Sequence, residues 1–162
     1  MSDLLQLLLE FHREKLAILT GHEAGARSIA QYDANNAYQY IINREETHLS
    51  WLASAIVSLG GTPETSAPGS TADVGRGRDA AWLGLAEEHA REAQAFVDRW
   101  RPRVEAMTNA RHRGMLRVTL GEMLEQKRFF EQVAAGNLDL LGRRQDAVGP
   151  RVGEVLPTRW VE

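Results

Sequence analysis

Helical periodicity is the sequence feature that most constrains the fold of this chain. From Leu4 to Ile29, apolar or small residues recur every three or four positions, at 5, 8, 12, 16, 19, 23 and 26 when His12 and Glu23 are admitted to the series. Such spacing places one stripe along one side of an α-helix, facing a core. The segment 32–36, which contains one Asp and two Asn, predicts the first corner, because Asp and Asn favour caps and turns.

Three further helices are predicted from the same kind of pattern. The second runs over about 37–59 and ends at a Gly-Gly-Thr-Pro sequence. The third begins at Asp79 as its N-cap, and Pro102 is expected to kink or interrupt it because proline lacks the backbone N–H. The fourth spans about 111–135, after a corner at 108–110, and is expected to stop at Gly136-Asn137.

The connections between these helices predict how the chain is organised. No segment alternates long enough to suggest a sheet, so the expected fold class is all-α. Two short corners make antiparallel helix pairs, whereas the 19-residue segment 60–78, rich in Gly, Pro, Ser and Thr, is long enough to cross a four-helix bundle. The predicted domains are a bundle over 1–136 and a C-terminal tail, 137–162, that packs on it.

Composition excludes several kinds of chemistry. The 162 residues include no Cys, which excludes a disulfide scaffold, a thiolate zinc site, an Fe–S cluster and a Cys nucleophile. The formal net charge of −3 gives no basic excess for nucleic acid or an anionic membrane. The first residues do not resemble a secretory signal, so a cytoplasmic location is expected.

Acidic residues on apolar stripes are the strongest functional signal in the sequence. Glu45 falls at the centre of the second helix's stripe, and His48 lies one turn later. The predicted stripe of the fourth helix reads Met115, Val118, Glu122, Glu125, Phe129 and Val133, with two acids on consecutive steps. Because a buried acid is costly unless it is paired or binds a metal, these residues are candidate ligands of a divalent cation pair.

Matching the levels of residues about each corner suggests which candidates could meet. With the first corner at position 34, Glu45 and Glu23 are equally far from it along the chain, one after it and one before it. With the second corner near 109, Glu122 and Glu125 point to the level of Glu92, with His89 one turn earlier on the apolar face. His12 is expected in the interior or at its rim, and His22 and His112 are expected at the surface.

The segment Leu19-Thr20-Gly21-His22-Glu23-Ala24-Gly25-Ala26-Arg27, followed by Glu45-Glu46-Thr47-His48-Leu49 and Leu59-Gly60-Gly61-Thr62-Pro63, resembles the ferritin-like superfamily. The similarity is greatest to its small rubrerythrin-like and bacterioferritin-like members, and it covers roughly residues 5 to 135. It implies a carboxylate-bridged di-metal centre that oxidises Fe(II) with O₂ or peroxide. Glu45 and Glu122 would bridge two metal ions, and Glu23, His48, Glu92 and Glu125 would be terminal ligands.

The sequence departs from that family pattern in the fourth helix. Glu122-x-x-Glu125 stands where a symmetric site would have Glu-x-x-His, so His89 would supply the missing nitrogen, or the second metal position would be weaker or vacant. Without Cys there is no rubredoxin module, so an external electron donor is expected. Iron is the expected metal, with Mn or Zn as alternatives, and a homodimer is a candidate assembly.

Two other functional interpretations remain open. In the main one, the protein is a non-catalytic helical interaction or stress protein, whose buried acids pair with Arg27, Arg44, Lys127 or Arg128 instead of a metal. The other is a di-iron hydroxylase of an organic substrate, for which the short chain leaves little room.

Overall fold

The computed structural model describes residues 2–66 and 81–137, and these ranges form four long helices. The helices are α1 (Asp3–Ser28), α2 (Tyr32–Ser58), α3 (Ala81–Glu105) and α4 (Ala110–Ala134). No strand occurs within the described ranges, and the prediction of an all-α, four-helix protein is confirmed. The predicted N-cap Asp79, most of the predicted crossover and nearly all of the predicted tail lie outside the described residues.

The first corner lies earlier than the sequence predicted. It covers residues 29–31, and the polar segment predicted as the break is instead the first turn of α2. The Gln31 side chain accepts a hydrogen bond from the Ala34 N–H, and the Asn35 amide donates to the Ile29 carbonyl at 3.2 Å. Gln31 therefore caps the start of α2, and Asn35, a residue that also favours turns, stabilises the same helix start through its side chain.

The described helices fall into two compact units, of which the first contains α1 and α2 from Tyr38 onward. Its two helices run antiparallel: Lys15 pairs with Glu45, and nearer the corner His22 meets the edge of the Tyr38 ring at 6.3 Å. At the far end, a Cβ on Gly61 would come within 2.6 Å of the Leu5 side chain, so any larger residue would force that side chain to move.

The buried positions of α1 follow a regular alternation of three and four residues. The series is 5, 8, 12, 15, 19, 22 and 26, with further buried residues beside it. It differs from the predicted stripe at two places, since Lys15 and His22 occupy core steps that the prediction gave to Leu16 and Glu23. Both differences replace an expected residue by a buried, ionisable one.

The second unit contains residues 29–37, α3 and α4, and α3 packs along α4. The Asn109 side chain caps α4 by accepting from the His112 N–H at 3.1 Å, which places the second corner where it was predicted. Pro102 does not interrupt α3, because it lies in the last turn and its carbonyl still accepts from the Ala106 N–H at 3.1 Å.

Both predicted glycine helix ends are confirmed. Gly60 after α2 and Gly136 after α4 have positive φ angles of 79° and 83°, a conformation that favours glycine. In the described part of the chain, no helix is both long enough and apolar enough to cross a lipid bilayer.

Candidate functional site

A buried triad of charged and polar side chains lies at the centre of the first hairpin. Glu45, on α2, receives a hydrogen bond from the Lys15 ammonium on one carboxylate oxygen, and its other oxygen contacts His22 Nδ1 at 2.6 Å. All three residues have 0% relative exposure. We call Lys15, His22 and Glu45 the α1–α2 triad.

The position of the first corner explains why these residues meet. Lys15 lies as far before the end of α1 at Ser28 as Glu45 lies after the start of α2 at Tyr32. With the corner predicted at 34, the residue of α1 matched to Glu45 was Glu23, which lies about two helical turns after Lys15. Glu23 is half-buried, and its role as a ligand remains a prediction.

The triad keeps the Glu45 carboxylate ionised inside the protein. Burial alone would raise the pKa of Glu45, but the charges of His22 and Lys15 and the hydrogen bonds with both lower it to about 2. The expected pairing of a buried acid with a basic residue therefore occurs here. The partners are Lys15 and His22 rather than Arg27 or Arg44, and His22 is not the surface residue that the sequence predicted.

His48 is the other predicted ligand on α2, and the structure places it in the core as expected. It has 0% relative exposure, lies one turn after Glu45, and packs against the Trp51 ring at 5.3 Å. The pKa of His48 is lowered to about 3, mainly by burial. The positive charges of Lys15 and Arg44 also lower it, whereas the charge of Glu45 opposes the shift. Its imidazole is therefore neutral near neutral pH.

The His48 shift predicts a loss of stability on acidification. Between pH 6.5 and about 3, the unfolded imidazole binds a proton that the folded one does not, so the free energy of unfolding falls as pH falls. The expected slope approaches about 1.4 kcal/mol per pH unit near pH 5. Urea unfolding at a series of pH values checks this, and His48→Asn should flatten the slope; an equal slope in the variant would contradict it.

The α1–α2 triad does not fit a metal ion as it stands. Both oxygens of Glu45 are already hydrogen-bonded, and one of the partners is a buried ammonium group that would repel a divalent cation. Glu45 is therefore satisfied by groups of this chain. The predicted set Glu23, Glu45 and His48 consequently has its central carboxylate engaged by a cation of the protein.

The second hairpin brings the other predicted donors to one level. His89 and Glu92 lie one turn apart on α3, and a ring nitrogen of one and a carboxylate oxygen of the other are within 4.8 Å. Glu122 lies as far into α4 as Ala93 lies before the end of α3, so these two positions match. By the same count Glu125 matches Ala90, so both acids fall at the height of the His89–Glu92 pair.

Burial distinguishes these donors from one another. His89 and Glu122 are buried at 5% and 3% relative exposure, whereas Glu125 is half-buried and Glu92 is exposed. The His89 ring packs against Phe130 at 5.3 Å, which limits its rotation. Two donors are therefore in the core, and two lie towards the surface.

The core side of α4 is rotated by about one residue from the predicted stripe. The buried series is 116, 119, 123, 126, 130 and 133, with Leu120 and Glu122 beside it. Gln126 is the functional candidate that the sequence analysis missed. It is buried at 3%, and within the described ranges neither its amide nitrogen nor its amide oxygen has a hydrogen-bond partner.

Gln126 matches the level of His89, since the two are equally far from the helix ends that flank the second corner. A buried amide oxygen without a partner is costly, and a bound cation would satisfy it. The second hairpin thus combines imidazole, carboxylate and amide donors, and we call His89, Glu92, Glu122, Glu125 and Gln126 the α3–α4 donor set. These are donor types that bind divalent cations in proteins.

The remaining histidines are not part of either group. His12 is buried at 4%, as predicted, and burial lowers its pKa despite the opposing charge of Glu64. His112 is half-buried and contacts the Asn109 cap at 2.9 Å, so it belongs to the start of α4.

Comparison with known proteins gave no relative: no family model, no curated protein and no solved structure matches this chain.

Proposed function

We propose that this protein is a ferritin-like, metal-binding helical protein whose metal donors are the α3–α4 donor set. The observation that carries the proposal is the pairing of His89 with Glu92, whose ligand atoms lie within 4.8 Å of each other on one face of α3. Buried Glu122 lies at their level along α4, and we propose it as the third donor. Iron is the proposed metal, with Mn or Zn as alternatives.

The chemical character of the donors supports this choice of metal. Carboxylate and amide oxygens with one imidazole suit Fe(II) or Mn(II). Glu122 places a carboxylate in the core, at the level of His89 and Glu92. Glu92 is exposed to the solvent from which an ion would arrive, and Phe130 packs against the His89 ring.

The proposed activity is oxidation of Fe(II) by O₂ or peroxide, of the ferroxidase or peroxide-consuming type, with a bound redox metal supplying the electron-transfer chemistry. The protein's own residues would bind the ion through Glu122 and His89, orient the imidazole, and exclude water on the core side with Phe130. We propose an external electron donor, because the chain contains no Cys for a second redox centre. A cytoplasmic location and a homodimer are proposed with the same activity.

Metal binding by purified protein tests the proposal. After reconstitution with Mn(II) or Fe(II) and removal of excess ion, about one ion per chain should remain, because one group of donors is available. His89→Ala and Glu122→Gln should each weaken binding by more than about 10-fold, since the first removes the imidazole donor and the second removes the negative charge of the carboxylate. Glu88→Gln is the matched control, because Glu88 is exposed and adjacent to His89.

Two outcomes would contradict the proposal. If the wild-type protein retains no Mn, Fe or Zn, or if His89→Ala and Glu122→Gln bind as tightly as Glu88→Gln, the α3–α4 donor set is not a metal site. An ion that binds there without oxygen-dependent oxidation of Fe(II) would leave metal binding but contradict the proposed activity.

A second function is supported by the α1–α2 triad. Because Lys15 neutralises Glu45 and His22 contacts its other oxygen, the burial of Glu45 needs no metal, which is what a non-catalytic helical interaction or stress protein would show. The two functions differ in the behaviour of the second hairpin, so the metal measurement on His89→Ala and Glu122→Gln decides between them.

A further inference from the structure

We propose that Lys15 prevents the first hairpin from binding a metal ion. Its ammonium group contacts the Glu45 carboxylate in the place that a metal ion would otherwise occupy. The number of metal ions that the whole protein binds rests on the proposed function of the second hairpin. The inference that Lys15 keeps metal out of the first hairpin does not rest on it. The proposal concerns one site and one ligand class, a divalent transition-metal ion. It predicts a metal site that a single substitution would open.

The contacts of Glu45 carry the first step. A carboxylate that binds a metal must present at least one oxygen to it, yet Lys15 donates to one oxygen of Glu45 and His22 Nδ1 contacts the other at 2.6 Å. The ammonium therefore occupies a direction from which an ion would approach. Its charge also satisfies the carboxylate, which removes the main electrostatic attraction for an ion.

The burial of Lys15 carries the second step. Surface lysines move aside easily, but this side chain has 0% relative exposure and its ammonium contacts the equally buried Glu45 carboxylate. Displacing it would require a charged group to leave the Glu45 carboxylate and cross a packed core. An entering ion would meet a like charge at contact distance in a poorly screened environment.

The residues around the triad would suit a metal if the ammonium were absent. Glu45 and the buried imidazole of His48 lie one turn apart on α2, a spacing that directs both side chains towards the same side of the helix. His22 Nδ1 already contacts the carboxylate. A carboxylate with two imidazoles is a donor set for Mn(II), Fe(II), Co(II) or Zn(II).

Substituting Lys15 tests the proposal directly. Lys15→Met keeps most of the side-chain volume but removes the charge, and Lys15→Gln keeps a hydrogen-bond donor. We expect each variant to bind one more Co(II) per chain than the wild type, measured by elemental analysis and by the visible absorption of bound Co(II). Adding Glu45→Gln to either variant should abolish the gain. In the wild-type background, Glu45→Gln should leave the ion count unchanged.

Two results would overturn the proposal. One is a folded Lys15→Met or Lys15→Gln protein, shown by circular dichroism, that gains no ion. The other is a loss of bound Co(II) in a Glu45→Gln protein that circular dichroism shows to be folded, and this result counts even if both lysine variants fail to fold. If the wild type binds no metal but Lys15→Met binds one ion, the proposed function of the second hairpin fails and this inference stands.

Discussion

Replacing Lys15 by methionine in metal-free buffer is expected to lower the free energy of unfolding by about 3–5 kcal/mol, because the variant leaves a buried carboxylate without its ammonium partner. Glu45 keeps its contact with His22 at 2.6 Å, which compensates only part of that loss. Urea unfolding followed by circular dichroism gives the measurement. The low exposure of both partners makes this the largest electrostatic effect that we expect in the chain.

Two controls separate the buried pair from ion pairs in general. Arg13 on the same helix pairs with Glu64 at 2.6 Å, but these side chains are 55% and 36% exposed, so Arg13→Met should cost less than about 1 kcal/mol. The double variant Lys15→Met/Glu45→Gln should recover much of the loss, because neither charge is then buried alone. Equal effects of Lys15→Met and Arg13→Met would show that Lys15 is not buried against Glu45.

Replacing Phe130 by alanine is expected to cost about 3–5 kcal/mol, the usual range for a fully buried aromatic side chain. Phe130 has 0% relative exposure and packs beside the His89 ring. Its neighbour Phe129 is half-buried, so Phe129→Ala should cost clearly less, about 1–2 kcal/mol. Thermal or urea unfolding of the two variants gives the comparison.

The comparison of Phe130 with Phe129 tests which face of α4 lies in the core. The sequence placed Phe129 on the stripe, whereas the structure buries Phe130. A larger loss for Phe129→Ala would restore the predicted face and with it the predicted burial of Glu125. A larger loss for Phe130→Ala supports Gln126 as a core residue at the level of His89.

Much of the fold followed from the sequence because its signals are local. Gly60 and Gly136 mark helix ends through their own backbone conformation, and Asn109 caps α4 through its own side chain. The burial of Glu45 and His48 was also predicted correctly, since both lie among apolar residues spaced for one helix face.

The errors came from features that a local pattern does not determine. The residues at 32–36 are as well suited to the first turn of a helix as to a corner, and choosing the corner shifted the level match from Lys15 to Glu23. A lysine is also the last residue that a hydrophobic stripe selects for a core position. Lys15 is found to match Glu45 only when residues of α1 and α2 are counted from the corner that the structure shows.

The rotated face of α4 has a related cause. The observed stripe includes Thr119 and Gln126, whereas the predicted one offered Val118 and Phe129 as more apolar alternatives nearby. Adjacent stripes on an α-helix differ by only about 100°, so a few polar residues in the core suffice to change the choice. In α1 and α4, buried polar residues caused the wrong prediction of the core-facing side of the helix. The same residues supply the candidate chemistry.

Lys15 neutralises the buried carboxylate of the first hairpin, Glu45, whereas the second hairpin is proposed to bind metal. The most direct measurement of this difference is the number of Mn(II) ions retained per chain by the wild type, Glu45→Gln and Glu122→Gln under identical conditions. We predict about one ion for the wild type, an unchanged number for Glu45→Gln, and almost none for Glu122→Gln. Two ions in the wild type with a loss in Glu45→Gln, or an unchanged number in Glu122→Gln, would contradict the proposed difference between the hairpins.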